Sequence, residues 1–381
     1  MESDQGGPMF SLDELIEDIR ELVTIETPSS DYSAVRRGAI AVAALGERLL
    51  GRTPQLLELG GVTHVLWPSI SEDSMLLLGH QDTVWPSGTL ERRPFGIEDG
   101  HLRGPGVFDM KTGVVMMLHA VRALPPELQR RVTILVTGDE ETGSGTSRAL
   151  IERLARSASA ALVAEGAADE GALKVARKGA SIIYLDVRGV AAHAGLEPWR
   201  GSNATVELAA CIREILLLAN DSAGTTVTPT VIEGGSSLNT VPDRARLGID
   251  VRAWSLDEQR RVEAALRSLT PHVAGTEIDV SAEHSPPMEE TMAEGLNALA
   301  EQAAAALGIV LPAASRVGGA SDANFVAGAG TRVLDGLGAV GGGAHADNEW
   351  VQVDQIVPRT TLLSELVRRF LTGSPFVAGP A

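Results

Sequence analysis

Three short apolar runs constrain this chain more than any other feature. Residues 75–79, 132–137 and 160–164 are built from Met, Leu, Val, Ile, Ala, Gly and Thr, and polar residues follow at once: His80, the Asp139-Glu140-Glu141 run and Glu165. Such runs are the length of strands and read as strands covered on both faces. Segments of helical period, 114–124 and 147–154, separate them, so strand and helix alternate as in an α/β fold with a mostly parallel sheet flanked by helices. In such a sheet the carboxyl ends of the strands share one edge, where ligands gather. The polar residues fall on that edge. Ahead of the runs, Ser11 and Glu14 form a capping box that opens an amphipathic helix through Leu15, Ile19, Leu22 and Val23.

From about residue 180 the pattern changes to a strand (181–188), a helix (203–219), two strands (226–233 and 245–252), a helix (256–269) and a strand (276–283). This β-α-β-β-α-β order is that of a ferredoxin-like unit. Pro286 and Pro287 interrupt it, helical period resumes near Thr291, and a Gly-rich region leads to a C-terminal helix over 357–371. With 381 residues, more than one hydrophobic core usually supports, the chain reads as a catalytic domain in two parts, 1–179 and 287–381, with 180–286 inserted.

Lys and Arg number 32 against 50 Asp and Glu, a net charge of −18. So acidic a surface repels DNA phosphates and anionic lipid, so neither nucleic acid nor a membrane is an expected partner. The single cysteine, Cys211, can form neither an intrachain disulfide nor a cysteine-based zinc site and reads as a small core residue. Residues 1–8 lack the basic start and apolar stretch of a secretory signal, and no run is long enough to span a bilayer. The expected location is cytoplasmic.

Each polar residue at the strand ends has a plain reading by itself. His80 and Asp82 read as a strand-end hydrogen bond, Asp109 as a turn residue, and Glu140-Glu141 as a solvated pair. Their positions change the odds, because His80, Glu140-Glu141 and Glu165 follow three separate apolar strands while Asp109 and His345 lie in Gly-rich loops, so they could converge on one cleft. Converging carboxylates repel and are costly to desolvate unless cations neutralise them, which points to a metal site. Two His and several carboxylates suit zinc or a similar divalent ion, and one bridging carboxylate would hold two ions about 3.5–4 Å apart.

Four motifs are specific in combination: Gly79-His80-Gln81-Asp82-Thr83-Val84, Gly104-Pro105-Gly106-Val107-Phe108-Asp109-Met110-Lys111-Thr112-Gly113, Thr137-Gly138-Asp139-Glu140-Glu141-Thr142-Gly143-Ser144, and Gly343-Ala344-His345-Ala346-Asp347. On these the sequence resembles the M20 family of dinuclear zinc peptidases and amidohydrolases, and within it the glutamate carboxypeptidases of the carboxypeptidase G2 type, over residues 10–371. The resemblance implies two divalent ions, zinc first with cobalt or manganese as substitutes. It implies Asp109 as the bridge, His80 and Glu165 at one ion, and Glu141 and His345 at the other. Asp82 would accept the second ring N–H of His80, and Glu140 would be the general base that moves the proton of the attacking water. A cis peptide at Asp109-Met110 is also implied.

The inserted domain would then be a lid and dimerisation domain, with His193 reaching the partner subunit's site in a homodimer. Asn239, Arg252, Gly318 and Gly319 match positions that contact substrate; the plain readings of the first two are a turn Asn and a strand-edge ion pair. The implied substrate is a small peptide or an N-acyl amino acid cleaved beside a free carboxylate. Carboxypeptidase and deacylase activities are both open, and a non-catalytic binding member is a further alternative. One departure stands out: Ser285 occupies the place where relatives often carry an Arg before Pro286. A nucleotide-binding reading of the Gly runs fails, since Gly341-Gly342-Gly343 is not followed by Lys and Ser or Thr.

Overall fold

The apolar runs are adjacent strands. In the computed structural model, which describes residues 10–71 and 73–373, Met75–His80 lies between Val132–Thr137 and Ala160–Val163, parallel to both, with Met75 opposite Val132 on one side and Ala160 on the other. Every residue of the three is buried, as expected of strands covered on both faces. Val333–Leu334 extends the sheet in parallel beyond Ala160–Val163. Beyond Val132–Thr137 the sheet turns antiparallel through Val62–Trp67 and then Gln55–Leu59, completing six strands. The sequence reading does not anticipate that edge, because 55–59 is largely exposed and alternates poorly.

Helices cover this sheet. Tyr32–Leu50 packs on Val62–Trp67, and Thr112–Arg122 packs on Met75–His80 and on the C-terminal helix Val353–Leu371. Thr112–Arg122 is buried almost all round, which explains its weak amphipathic period. Gly113 in its first turn is required by space: a Cβ there would collide with the carbonyl oxygen of Ala164. That close approach brings the turn carrying Asp109 against the strand end carrying Glu165. His119 on the same helix is a satisfied core residue, its Nε2 2.7 Å from Asp18, whose other oxygen takes Arg48 at 2.7 Å.

By residue contacts the chain divides into two compact units. The first holds the sheet above and comprises the chain through Ala176, Glu290–Val317 and the chain from Ser321. The second comprises Arg177–Glu289 together with Gly318–Ala320. Its sheet is wholly antiparallel, in the order Thr226–Gly234, Arg244–Ala253, Gly179–Arg188, Glu277–Ser285. Ser181, Ile183, Leu185 and Val187 are buried while Ile182, Tyr184 and Arg188 are exposed, the alternation of a sheet with one covered face. Helices Ala204–Ile215 and Leu256–Arg267 pack on it, contributing Leu208, Cys211, Val262 and Leu266 to its core. Cys211 is therefore a core residue, its thiol donating to buried Glu207 at 3.3 Å. Glu207 is itself committed, accepting the N–H groups of His272 and Val273 at 2.8 and 2.6 Å.

Among the described residues no helix is long and apolar enough to cross a membrane. The reading of residues 1–8 falls outside the described residues.

Candidate metal centre

Parallel register assembles the site in the first unit. His80 is the last residue of its strand and lies opposite Thr137, so Glu140 and Glu141 follow just past the end of the neighbouring strand. On the other side Leu78 lies opposite Val163, which sets Glu165 at the same edge. Asp109 comes from the tight turn Val107–Lys111 that leads into Thr112–Arg122, and the Asp109-Met110 peptide is cis. His345 reaches in from the loop between the short strands Gly341–Gly342 and Trp350–Gln352, with a left-handed backbone at φ 61°.

Asp109 occupies the middle. Its Oδ1 lies 3.1 Å from His80 Nε2 and its Oδ2 3.4 Å from His345 Nε2. His345 Nε2 is 2.9 Å from Glu141 Oε2. His80 Nε2 is 3.5 Å from Glu165 and 3.9 Å from Glu140. Two groups of potential ligand atoms result, His80 with Asp109 and Glu141, and His80 with Glu140 and Glu165. The other nitrogen of His80, Nδ1, is 3.0 Å from the backbone carbonyl of Asp82 and 3.4 Å from its carboxylate. The main-chain oxygen of Asp82 is thus the nearer orienting partner. The Asp82 carboxylate accepts the Ser29 hydroxyl at 2.7 Å and the N–H groups of Glu140 and Glu141 at 3.3 Å each.

Protons alone balance this cluster poorly. Burial drives the Glu140 carboxyl far above its ordinary range and pushes Glu141 to about 7. Burial would depress His80, yet Asp109, Asp82 and Glu165 hold its imidazolium well above the usual histidine range. The contact with Asp109 lifts His345 to about 9. Burial would raise Asp109, but its bonds to His345 and His80 hold it below the ordinary carboxylate range. Divalent cations would stabilise the same oxygens in their charged form. A donor set of two imidazoles and several carboxylates, with one carboxylate split between the two imidazoles, fits two such ions.

Three supporting groups were given no role by the sequence reading. Asp139 accepts both the N–H and the hydroxyl of Thr146, at 2.7 Å each, and likewise those of Ser147, at 3.2 and 2.6 Å, which folds the turn holding Glu140 and Glu141. Buried His64 accepts the Gly138 N–H through Nδ1 at 3.2 Å and so donates from Nε2 to Thr146 at 3.0 Å. Asp322, the first residue of the short helix Asp322–Gly328, accepts the hydroxyls of Thr137 and Ser144, and burial lifts it to about 7. No local signal marks His64 or Asp322, whose partners are more than 70 residues away, and the partners of Asp139 lie just beyond the motif in which it was read.

Residues 76–369 match the family model of the peptidase family M20/M25/M40. The chain belongs to this family. Carboxypeptidase G2 of Pseudomonas sp. (strain RS-16) is 30% identical over 308 residues, 77% of this chain and 73% of that protein. A succinyl-diaminopimelate desuccinylase of Cereibacter sphaeroides (strain ATCC 17025 / ATH 2.4.3) is 30% identical over 323 residues, covering 77% and 82%. The crystal structure of aminopeptidase PepT from Bacillus cereus ATCC 10987 shares the fold with a TM-score of 0.72 at 22% identity, over 95% of this chain and 100% of that one. As an M20 peptidase the protein is a hydrolase, and the family is one of dinuclear metal enzymes.

The remaining sequence-predicted residues of this M20 peptidase lie in its second unit. His193 and Asn239 are neighbours there, since Ala192–His193 pairs with Thr240–Val241 and the Ala194 N–H donates to the Asn239 carbonyl at 2.8 Å. Exposed His193 accepts the N–H groups of Gly195 and Leu196 through Nδ1, both at 3.1 Å, so the neutral ring carries its proton on Nε2. Arg252 stands elsewhere in that unit, on Arg244–Ala253, forked onto Asp250 with Nε 2.9 Å and Nη2 2.8 Å from the carboxylate. The strand ion pair is thus present. Gly319 and Ala320 present their carbonyls to buried Arg177 at 3.0 and 3.4 Å. A Cβ on Gly318 or Gly319 would meet nothing within 4 Å, so the protein's own packing does not require glycine at either position.

Proposed function

We propose that this M20 peptidase hydrolyses an amide bond beside a free carboxylate, releasing a C-terminal amino acid in the manner of a glutamate carboxypeptidase. The observation that carries the reading is the split of Asp109 between His80 and His345, with Glu140 alongside. Two divalent ions, zinc in the first instance, would be held by His80, Asp109, Glu165, Glu141 and His345, and would acidify a water and neutralise charge on the scissile oxygen. Glu140, 3.9 Å from His80 and farther from it than Asp109 or Glu165, would take the proton of the attacking water and return it to the leaving nitrogen. Asp82 would hold His80 and the Glu140-Glu141 backbone in register. Deacylation of an N-acyl amino acid is the second reading, favoured by equal 30% identity to the desuccinylase. A cytoplasmic setting is part of this reading, and the single cysteine gives no argument for an oxidising compartment.

The second unit would be a ferredoxin-like lid through which two subunits pair. Support for that comes from its β-α-β-β-α-β order and antiparallel sheet. His193, with Nε2–H free to donate, would polarise the carbonyl in the partner subunit's site, and Asn239 would contact the same substrate. The pairing is checked by mixing inactive His193→Ala with inactive Glu140→Gln protein. Hybrid dimers contain one complete site, so activity should recover toward one quarter of wild type. Verified hybrids without activity would remove His193 from the reaction in trans.

Arg252 is the proposed partner of the substrate carboxylate, aided by Gly318 and Gly319. Asp250 takes its Nε–Nη2 edge and leaves the Nη1 side for the substrate. The reaction is tested with metal-loaded protein on a panel of dipeptides and N-acyl amino acids, each as free acid and as amide. Hydrolysis of free acids is expected, and Arg252→Ala should raise KM at least about tenfold for acids and far less for amides, the loss of a charge-assisted pair. With Ser285 in place of Arg, acidic side chains should be only weakly preferred. Equal impairment of acids and amides would assign the contact to another cation.

A further inference from the structure

We propose that Glu349 is the positioning residue of the metal centre, fixing the main chain on which Asp109 stands. The inference rests on the reading of His80, Asp109, Glu141, Glu165 and His345 as metal ligands and adds a residue outside that set.

Glu349 is 1% exposed, and both oxygens of its carboxylate are used. Oε1 accepts the N–H groups of Phe108 at 2.8 Å and Asp109 at 3.2 Å. Oε2 accepts the Gly106 N–H at 3.0 Å and the indole N–H of Trp85 at 2.9 Å. Three of these four donors are main-chain groups of the segment 106–109, so the carboxylate occupies a cradle of N–H groups formed by the turn that ends in Asp109. Glu349 also shares a loop with His345. The Ala346 N–H donates to the Gly343 carbonyl at 2.9 Å and the Glu349 N–H to the Ala346 carbonyl at 3.0 Å. One folded loop therefore meets Asp109 twice, through the His345 ring at its Oδ2 and through Glu349 at its backbone N–H. The direction of the Asp109 side chain between the two imidazoles depends on both.

The chemistry demands a carboxylate. Four donors need four acceptor sites, which a carboxylate supplies and a carboxamide does not. In Glu349→Gln the oxygen can serve one side of the cradle, while the amide NH2 must face the donors on the other. A donor facing a donor in a buried site loses its hydrogen bond and the solvation it gave up. Groups that orient metal ligands typically change metal affinity about 10–100-fold when altered, and a loss in that range is expected here.

The test measures zinc affinity by competition with a chromophoric chelator, the absorption spectrum of the cobalt-substituted protein, and the melting temperature of the metal-free protein. Wild type should bind two zinc ions per chain. Glu349→Gln should bind at least one of them about tenfold or more weakly, with an altered cobalt spectrum, and kcat should fall while KM stays within about twofold. Trp85→Phe removes one donor from the cradle. The double variant should therefore recover part of the zinc affinity lost in Glu349→Gln alone, a rescue that general destabilisation would not give. Wild-type zinc affinity and an unchanged cobalt spectrum in Glu349→Gln would overturn the proposal even with a lowered melting temperature, as would a double variant no better than the single one. If Glu349→Gln does not fold, Trp85→Phe decides: a zinc affinity changed by about threefold or more supports the role, and an unchanged one overturns it. Failure of wild type to bind two ions would instead overturn the metal-centre reading itself.

Discussion

Asp109→Ala should leave the protein folded, unable to retain either metal ion, and inactive even when zinc is supplied in excess. Its two oxygens are the ones that lie 3.1 Å from His80 and 3.4 Å from His345, so no other side chain replaces the link between the two halves of the cluster. Chelation of the wild type should abolish turnover in the same way but reversibly, with zinc, cobalt or manganese restoring it, because water without the ions is far too weak an acid to give a nucleophile at neutral pH. Glu141→Ala, which removes only the 2.9 Å partner of His345, should lose one ion and keep the other. Metal content by mass spectrometry, set beside activity, distinguishes these variants. Two tightly held ions in Asp109→Ala, or full activity in verified metal-free protein, would refute the bridging assignment.

Glu140→Gln should be the complementary case, with both ions retained and turnover nearly gone. The expected loss in kcat is about 10²–10⁴-fold, the usual worth of a positioned acid–base group, or about 3–5 kcal/mol in the barrier. KM should change little, since Gln occupies the same space and Glu140 is farther from His80 than Asp109 and Glu165 are. A Gln variant with wild-type kcat would take Glu140 out of the mechanism, and one that loses metal would make it a ligand.

How much of this centre was legible beforehand depended on how local each signal was. The strands at 75–79, 132–137 and 160–164 announce themselves because burial on both faces requires unbroken apolar runs, and the residues after them are forced onto a common edge by parallel pairing. The antiparallel edge formed by Gln55–Leu59 and Val62–Trp67 was not legible, because the first strand is largely exposed and the second, though buried, has Thr63 and His64 interrupting its apolar run. Cys211 was correctly read as a small core residue, and its thiol is held by Glu207 one helical turn away. Glu349 was passed over in the same stretch of sequence that supplied His345. Its partners, three main-chain N–H groups and the Trp85 indole, are more than 200 residues away, and nothing in a lone acidic residue before Trp350 reveals them.

The sequence by itself determined an α/β fold, the three central strands and the short list of His and acidic residues at their ends, because hydrophobic period is a property of neighbours along the chain, and its four motifs carried the resemblance to the M20 family. Only the tertiary structure decided how those residues divide their contacts. It set Asp109 between two imidazoles, tied Arg252 to Asp250, gave His193 its tautomer through two N–H groups of its own loop, and seated the Glu349 carboxylate in the turn before Asp109. The physical reason is that hydrogen bonds and ion pairs act over about 3 Å in space, and one-dimensional spacing does not specify which of 50 acidic side chains will meet which donor.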